Sequence, residues 1–191
     1  MASTSNPAPW ARPASRPGAV QAALFVVGAL ALQGAGAQQS CKGDVPSLPT
    51  TRFQDNGDGT VTDLESKLMW MRCSSGQQWR GSSCVGAAGA FGWAAAQQQA
   101  EKVSRDGTAF FNDWRVPALR ELATITDRGC NNPRTNLAVF PATPSAPFWS
   151  STARPGETAG ERVLALSFGP QGVMLARKDE RFHLRLVRTG P

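Results

Sequence analysis

Alternating apolar and polar residues predict two short strands near the start of the folded part. Residues 53–62 read FQDNGDGTVT, with strand-type residues on both sides of a turn whose Asn and Gly positions tolerate positive φ. The same loop places Asn56, Asp58 and Glu65 at three of the spacings of a calcium-binding loop. Gln54, however, stands where the first carboxylate ligand would be. A strand hairpin is the preferred interpretation, and a calcium loop is the alternative.

A third strand is predicted over residues 67–71, KLMWM. Side chains alternate between the two faces of a strand, so Leu68 and Trp70 share one face, and Met69 and Met71 share the other.

Two helices are predicted in the middle of the chain. The first spans 93–103, WAAAQQQAEKV, with an apolar stripe at helical spacing and a polar face. The stripe contains Trp93, Ala96, Ala100 and Val103, whereas Gln97, Gln98 and Lys102 are expected to face water. The second helix spans 118–127, with Pro117 in its first turn and Gly129 beyond its end. It is expected to bury Leu119, Leu122 and either Ile125 or Thr126.

The rest of the chain reads as a long loop followed by strands. Proline-rich residues 130–146 form the loop, and strands are predicted over 148–152, 162–168, 172–176 and 181–188. In the last strand Phe182, Leu184 and Leu186 alternate with Arg181, His183 and Arg185, which are expected to face solvent. This order of elements predicts an α+β domain with a mostly antiparallel sheet, two helices and a long loop region.

The N-terminal residues are typical of a secretory signal. Arg12 and Arg16 precede the uncharged apolar run 22–32, which is too short to span a bilayer, and residues 35–37 read AGA. We expect cleavage after Ala37, an extended lead-in over 38–51 and one domain over 52–191. The exported product, periplasmic or secreted, would have 154 residues and no membrane span.

The four cysteines of the chain all lie beyond this signal, in a part of the protein that export would place in an oxidising compartment. Cys73 and Cys84 flank a loop rich in Gly and Ser, which favours a local bridge and leaves Cys41 to pair with Cys130. Four cysteines allow three pairings, so the other two stay open. A zinc site is the alternative, but no two cysteines have the short spacing of such sites.

Several sequence blocks, in this order, resemble one known family. They are RFQDNGDGTVTDLESKLMWMRC, GQQW, GWAAA, DWRVPALREL, FPATPSAPFWSST and LRLVR, within residues 52–188. Together they are similar to the C-terminal domain family of the Legionella collagen-like adhesin, the Lcl C-terminal domain. The resemblance implies a C-type-lectin-like fold in which the N- and C-terminal strands pair and a long loop region presents the binding surface. It also implies a relation to an adhesin that binds sulfated glycosaminoglycans.

Charge and aromatic residues provide the candidate binding site. Removing the two arginines of the signal lowers the formal charge from +6 to +4, a mild excess that permits attraction to acidic polymers. Basic residues crowd the C-terminal region, and Trp79 with Arg80 lies in the cysteine loop. The predicted ligand contacts are Trp79, Arg80, Arg177, Lys178, Arg181 and Arg185. The basic residues can equally be a solvated sheet edge, partly neutralised by Asp179 and Glu180.

A non-enzymatic binding domain is therefore predicted, with no catalytic residue, metal or cofactor. His183 is the one histidine, and no nucleophile is paired with it at a recognisable spacing. The expected partner is an acidic or sulfated glycan, or another acidic ligand outside the cell or in its envelope. The alternative is a structural or protein-interaction module of the bacterial envelope that docks onto an envelope protein. Nucleic acid is not expected as a partner of an exported protein.

Overall fold

The computed structural model describes residues 1–2, 38–43, 47–154, 156 and 160–190. The predicted signal segment, apart from residues 1–2, and its cleavage position lie outside these ranges. Within the described part of the chain, no helix is both long and apolar enough to cross a membrane.

Short antiparallel strands make up most of the regular structure. In chain order they are β1 (Ser40–Cys41), β2 (Phe53–Asp55), β3 (Thr60–Asp63), β4 (Leu68–Met71), β5 (Gln78–Trp79), β6 (Cys84–Val85), β7 (Cys130–Asn131), β8 (Pro147–Ala153), β9 (Arg162–Ser167), β10 (Val173–Arg177) and β11 (Val187–Thr189). One sheet has the order β11-β4-β3-β2 and another the order β10-β9-β8, while β1 pairs with β7 and β5 with β6. Together with the two α-helices of the described residues, this arrangement confirms the α+β class.

The first predicted hairpin is confirmed. Strands β2 and β3 pair in antiparallel register, with Phe53 opposite Asp63 and Asp55 opposite Val61. Between them, Asp55 accepts a hydrogen bond from the backbone N–H of Gly57, and Asp58 accepts one from that of Thr60. Short side chains that bond the backbone two residues ahead stabilise tight turns.

Strand β4 separates two groups of buried side chains, one on each of the two faces that the alternation predicted. Trp70 is fully buried in a cluster with Phe140, Phe148 and Leu122. On the other face, Met69 is buried in a cluster that includes Trp149. Both faces of this strand are therefore covered by other elements.

The first helix, α1 (Trp93–Arg105), extends two residues beyond its predicted end. Ala96 and Ala100 are buried, and Trp93 and Val103 pack on the same cluster as Met69, so the predicted stripe is confirmed. The expected exposure of Gln97 is wrong. This side chain is half-buried, and its amide nitrogen has no hydrogen-bond partner.

The second helix, α2 (Leu119–Thr124), is shorter than predicted. The backbone N–H of Asp127 donates to the carbonyl of Arg134, and the Asp127 carboxylate accepts the backbone N–H of Leu48 at 2.8 Å. These bonds hold Asp127 outside the helix, which therefore ends before Gly129. Ala118 offers no capping side chain, and its N–H donates instead to Glu121 at 2.7 Å.

The described residues of the predicted lead-in, which spans 38–51, are part of the folded structure, although the sequence indicated only an extended segment. Cys41 lies opposite Cys130 in the β1–β7 pair, and the two form a disulfide. Leu48 is 6% exposed, and residues Thr50–Arg52 form a short 3₁₀ turn. Ordered structure in the described residues thus precedes Arg52, where it was expected to begin.

The predicted strand over 181–188 is wrong for most of its length. Only β11, Val187–Thr189, pairs regularly, with Val187 opposite Trp70. The preceding residues make single bridges to different partners, Phe182 to Phe91 and His183 to Phe148. Because this segment contacts different elements on its two sides, neither of its faces has to be exposed to solvent.

Candidate functional site

A cleft of about 280 Å³ lies beside Trp79. Its walls come from the turn of the first hairpin, from strand β4, from the loop that follows it and from a turn after α1. The lining residues that offer contacts to a ligand are Asp58, Thr60, Gln77, Gln78, Trp79 and Thr108. Aromatic carbon, amides and hydroxyls face one space, which is the mixed surface that small polar ligands with an apolar face require.

Trp79 is fixed in this cleft from two sides. Gly59 has φ +89°, and a Cβ atom built on it would lie 2.8 Å from Cγ of Trp79. The guanidinium of Arg72 stacks on the ring at 4.2 Å from its centroid. Because Arg72 also binds Asp55 at 2.6 Å, the ring is anchored to the first hairpin. The indole is half-buried, and its position is set by packing rather than by the surrounding loop alone.

The disulfide between Cys73 and Cys84 closes the loop that carries Trp79. Trp79 lies directly opposite Cys84 in the β5–β6 pair. Both predicted bridges are confirmed, and the chain has no free cysteine. Cross-linking a short loop restricts its motion, which keeps the aromatic ring in one orientation.

Two exposed side chains lie next to the cleft. Arg80 is exposed and donates to the side-chain oxygen of Gln78 at 2.8 Å. Phe110, which the sequence did not single out, is 95% exposed and follows the cleft residue Ala109. Both Ala109 and Phe110 have positive φ, a conformation that costs a non-glycine residue about 1–2 kcal/mol. The sequence pattern does not indicate this turn, because the backbone conformation of Ala109 and Phe110 depends on the tertiary structure.

The acidic residues of the first hairpin have partners within the protein. Asp55 binds Arg72, Asp63 and Glu65 bind Arg52, and Asp58 accepts the hydroxyl of Thr60. Within the described ranges, no three His, Cys, Asp or Glu side chains are grouped as ligands of a metal ion. The hairpin interpretation accounts for these residues structurally.

The predicted basic residues of the C-terminal region are largely engaged. Arg177 binds Asp179 at 2.7 Å, and this hydrogen bond holds the pKa of Asp179 below its ordinary value. Lys178 lies 4.4 Å from the ring centroid of Trp93, and Arg181 donates to the carbonyl of Ala90. A cavity of about 420 Å³ at this place is lined by Arg177, Lys178, Gly160, Arg162, Glu161 and Asp179, so both signs of charge meet there.

Arg185 is not on the surface, which corrects its predicted position. The side chain is fully buried, and its guanidinium donates to the carbonyls of Met71 and Arg72 and to the hydroxyl of Thr143. Burial lowers the pKa of Arg185 to about 9, so the group remains charged at neutral pH. A buried cation bonded to the backbone joins strands rather than binding a ligand from solvent.

His183 also differs from its predicted exposure. The ring is half-buried against Phe148, with centroids 5.4 Å apart, and its Nδ1 lies 2.8 Å from the carbonyl oxygen of Gly89. Among the predicted ligand contacts, Trp79 lines the cleft, and Arg177 and Lys178 line the cavity of about 420 Å³. Arg80 lies next to the cleft, whereas neither Arg181 nor Arg185 lines either space.

Comparison with protein families matches residues 59–188 to the Lcl C-terminal domain. A search of curated proteins found no match. The matched range begins at Gly59, which packs on Trp79, and ends at Arg188 in β11. It includes strands β3 to β10 and both α1 and α2, with the whole three-stranded sheet and all of the four-stranded sheet except β2 and the last residue of β11. The chain therefore belongs to the Lcl C-terminal domain family.

Proposed function

We propose that this protein is an exported, non-enzymatic binding domain that recognises a glycan, with the Trp79 cleft as the site that receives a sugar ring. The observation that carries the proposal is the fixed, half-buried indole of Trp79 beside amide and hydroxyl groups in a space of about 280 Å³. Sugars present an apolar face of C–H groups and a rim of hydroxyls, which aromatic rings and amides complement.

The family relation supports an adhesin-type role outside the cytoplasm. Two disulfides in the fold are compatible with an exported protein. The typical signal sequence over 1–37 supports the same location, periplasmic or secreted. Engagement of all four cysteines in disulfides, and of His183 with a backbone carbonyl, supports a domain that binds without catalysing a reaction.

A C-type-lectin-like fold is part of the proposal. Its support is the order of strands, two helices, long loop and strands, and the position of β2 and β11 in one sheet. These two strands lie at opposite edges of that sheet and do not pair with each other, which differs from the pairing that the resemblance implied. The loop regions around Trp79 would supply the binding surface.

The test is a glycan array on the purified protein, followed by titration calorimetry with the best binder. Trp79→Ala should weaken binding by about tenfold or more, because stacking against an aromatic side chain contributes about 1–3 kcal/mol. Trp79→Phe keeps an aromatic plane and should restore part of the affinity. Leu64→Ala removes an exposed apolar side chain that does not line the cleft and serves as the matched control.

A second candidate function rests on the exposure of Phe110. A large aromatic side chain that is 95% exposed beside a cleft is typical of a protein-docking anchor, which favours the envelope interaction module. Pull-down from an envelope extract before and after enzymatic glycan removal separates the two functions. Capture that survives deglycosylation and is lost in Phe110→Ser supports protein docking. Capture that disappears with the glycans supports the lectin function.

A further inference from the structure

Strand β10 lies at one edge of the three-stranded sheet, whose order is β10-β9-β8. The opposite edge is covered, because the backbone N–H groups of Trp149 and Ser151 in β8 donate to the carbonyls of His183 and Pro117. Among the described residues, no strand other than β9 pairs with β10. An uncovered edge presents backbone donors and acceptors in the geometry that an added strand requires.

The backbone groups that face this edge belong to Val173 and Leu175. Just before β10, the carbonyl of Gly172 accepts the N–H of Ser167, the last residue of β9. Hydrogen-bonded residues alternate along an antiparallel pair, so the even-numbered residues of β10 bond β9 and the odd-numbered residues point outward. Outside the β9–β10 pair, no described residue forms a hydrogen bond with the backbone of Val173 or Leu175.

The other end of this edge is closed by the chain itself. The N–H of Arg177 donates to the carboxylate of Glu180 at 2.6 Å, and its carbonyl accepts the N–H of Glu180. The next residue, Lys178, donates its N–H to the carbonyl of Glu161, as the alternation requires. The open part of the edge is therefore short, and it begins at Val173.

Apolar side chains line the sheet face next to the open edge. Met174 and Ala176 pack in the cluster that α1 covers, so Val173 and Leu175 point to the opposite face. On that face Leu175 is half-buried and Val173 is 56% exposed. Ala123 of α2 is also exposed, and it shares a cavity of about 250 Å³ with Val173. Apolar side chains of an added strand would find apolar neighbours on this face.

Two arginines lie beyond the start of β10. The backbone N–H of Arg134 donates to the carbonyl of Phe168, in the turn between β9 and β10, and Arg128 and Arg134 line the same cavity as Val173. Neither guanidinium forms a salt bridge or hydrogen bond with any described residue, and the described lining of the cavity contains no acidic residue. A carboxylate of a bound segment would therefore meet two cations without displacing an internal partner.

The charge at this end favours an acidic partner over a second copy of the chain. Two β10 strands that pair antiparallel about Leu175 would place Arg177 of one copy opposite Val173 of the other. The added cation would then lie at the end of the edge where Arg128 and Arg134 are, and like charges repel. A segment that carries a carboxylate at this end has the complementary charge.

We propose that the open edge of β10 binds an extended, acidic peptide segment of another protein, which adds a fourth strand to the three-stranded sheet. The paired strands of the described sheets are antiparallel, and in that orientation the C-terminal end of the segment lies beyond Val173, next to Arg128 and Arg134. The expected pattern is apolar-x-apolar-x-acidic, because alternate side chains share one face of a strand. None of these residues lines the Trp79 cleft, so the site is separate from the proposed glycan site.

Fluorescence polarisation with fluorescein-labelled peptides tests this site. The peptides are Val-X-Val-X-Asp with an amidated C-terminus, where X is Ser, Thr or Gln, and saturable binding to the purified protein is expected. Replacing the Asp by Asn, or reversing the sequence, should weaken binding by about tenfold, because a charge-assisted hydrogen bond is lost. Absence of saturable binding by every peptide up to about 1 mM would overturn the proposal.

Charge on the protein side is tested by Arg128→Gln, which should also weaken binding by about tenfold. Arg105→Gln removes the same charge from the last residue of α1, away from the cavity, and should change the affinity less than about twofold. Equal losses in the two variants would show a general effect of net charge and would contradict a site at β10.

Backbone pairing is tested without changing the protein. Methylating the backbone nitrogen of the second Val of the peptide removes a donor that faces β10, whereas methylating the nitrogen of the neighbouring X changes a group that points away. The first should weaken binding by about fivefold or more and the second by less than about twofold. Equal effects of the two methyl groups would rule out strand addition.

The matching change in the protein is Val173→Pro, which removes one outward N–H at the first residue of an edge strand, a position where proline is tolerated. Val173→Thr keeps the N–H and the branched shape, and it serves as the control. Val173→Pro should weaken binding by about fivefold or more, and Val173→Thr by less than about twofold. Thermal unfolding checks that both variants fold, and the methylated peptides decide the case if Val173→Pro does not.

Two further outcomes separate this site from other occupants and from the proposed function. Analytical ultracentrifugation that finds a dimer of wild type, lost in Val173→Pro, would assign the edge to a second copy and overturn the choice of an acidic peptide. Trp79→Ala and Phe110→Ser should leave the peptide affinity unchanged, and a loss in either would place the peptide at the Trp79 cleft instead. Glycan binding that fails on the array while the peptide binds leaves the β10 site intact.

Discussion

The guanidinium of Arg72 lies 4.2 Å from the centroid of the Trp79 ring, and the arginine itself is 8% exposed. Its Nη1 binds Asp55 at 2.6 Å, and its Nε donates to the carbonyl of Val139 at 3.0 Å. One arginine therefore links the first hairpin, the cysteine loop and the long loop. The orientation of the candidate binding residue depends on this buried cation.

Arg72→Gln is expected to destabilise the fold by about 2–4 kcal/mol, because it removes a cation–π contact, an ion pair and two hydrogen bonds to the carbonyls of Ala138 and Val139. Chemical denaturation gives the free energy of unfolding. Arg80→Gln, one residue beyond Trp79 and exposed, should cost less than about 0.5 kcal/mol. Equal effects of the two substitutions would contradict the structural role of Arg72.

Gly59→Ala is expected to destabilise the protein by about 2–4 kcal/mol. The new Cβ would combine a positive φ with a 2.8 Å approach to Trp79. Gly57→Ala is the matched control, since Gly57 has φ +81° but no atom within 4 Å of the added Cβ. It should cost only about 1 kcal/mol. The difference in unfolding free energy between the two variants measures the effect of the contact with the indole. Equal values would show that the Trp79 ring moves aside at no cost in free energy.

Asp127 should make stability depend on pH in the acid range. Burial would raise its pKa, but hydrogen bonds from Ser47, Leu48 and Gly129 bring the pKa below the ordinary value. The stabilisation is therefore present above the unfolded-state pKa of about 3.9 and is lost as pH falls through the native pKa. Wild type should exceed Asp127→Asn in unfolding free energy at pH 7, and the gap should narrow below about pH 4. A gap that widens in acid would contradict this sign.

Arg185→Leu should cost about 3–5 kcal/mol, because the carbonyl of Met71 and the hydroxyl of Thr143 lose a buried donor. Arg181→Ala removes an exposed arginine with one hydrogen bond to a carbonyl and should cost less than about 1 kcal/mol. Thermal unfolding measures both. A wild-type melting temperature in Arg185→Leu together with weaker glycan binding would restore the surface role that the sequence predicted.

The two disulfides should differ in their effect on stability. Replacing Cys41 and Cys130 by Ser opens a loop with a sequence separation of 89, and loop entropy predicts a loss of about 4–5 kcal/mol. Replacing Cys73 and Cys84 opens a separation of 11 and should cost about 3 kcal/mol. The second pair should also weaken ligand binding, because it closes the loop of Trp79. Denaturation and calorimetry on both double variants check the two effects separately.

Local patterns predicted those features whose cause is local. The hairpin over 53–62 follows from turn residues, and the stripe of α1 follows from helical spacing. The short spacing of Cys73 and Cys84 favoured the local bridge, and Cys41 with Cys130 was the pair that this choice left over. The early end of α2 could not be predicted, because it depends on the bonds of Asp127 to Arg134 and Leu48, which are distant or irregular in sequence.

The sequence by itself determined the α+β class, the first hairpin, the apolar stripe of α1 and the membership of one family, and it favoured the disulfide pairing that the structure shows. The tertiary structure decided which face of each strand or helix is exposed to solvent. Alternation places Arg185 opposite Leu184 and Leu186, but a strand-like segment enclosed on both sides buries both faces, so the arginine became a core residue. The Trp79 cleft likewise forms where segments far apart in the chain meet, and the spacing of residues along the sequence does not indicate such contacts.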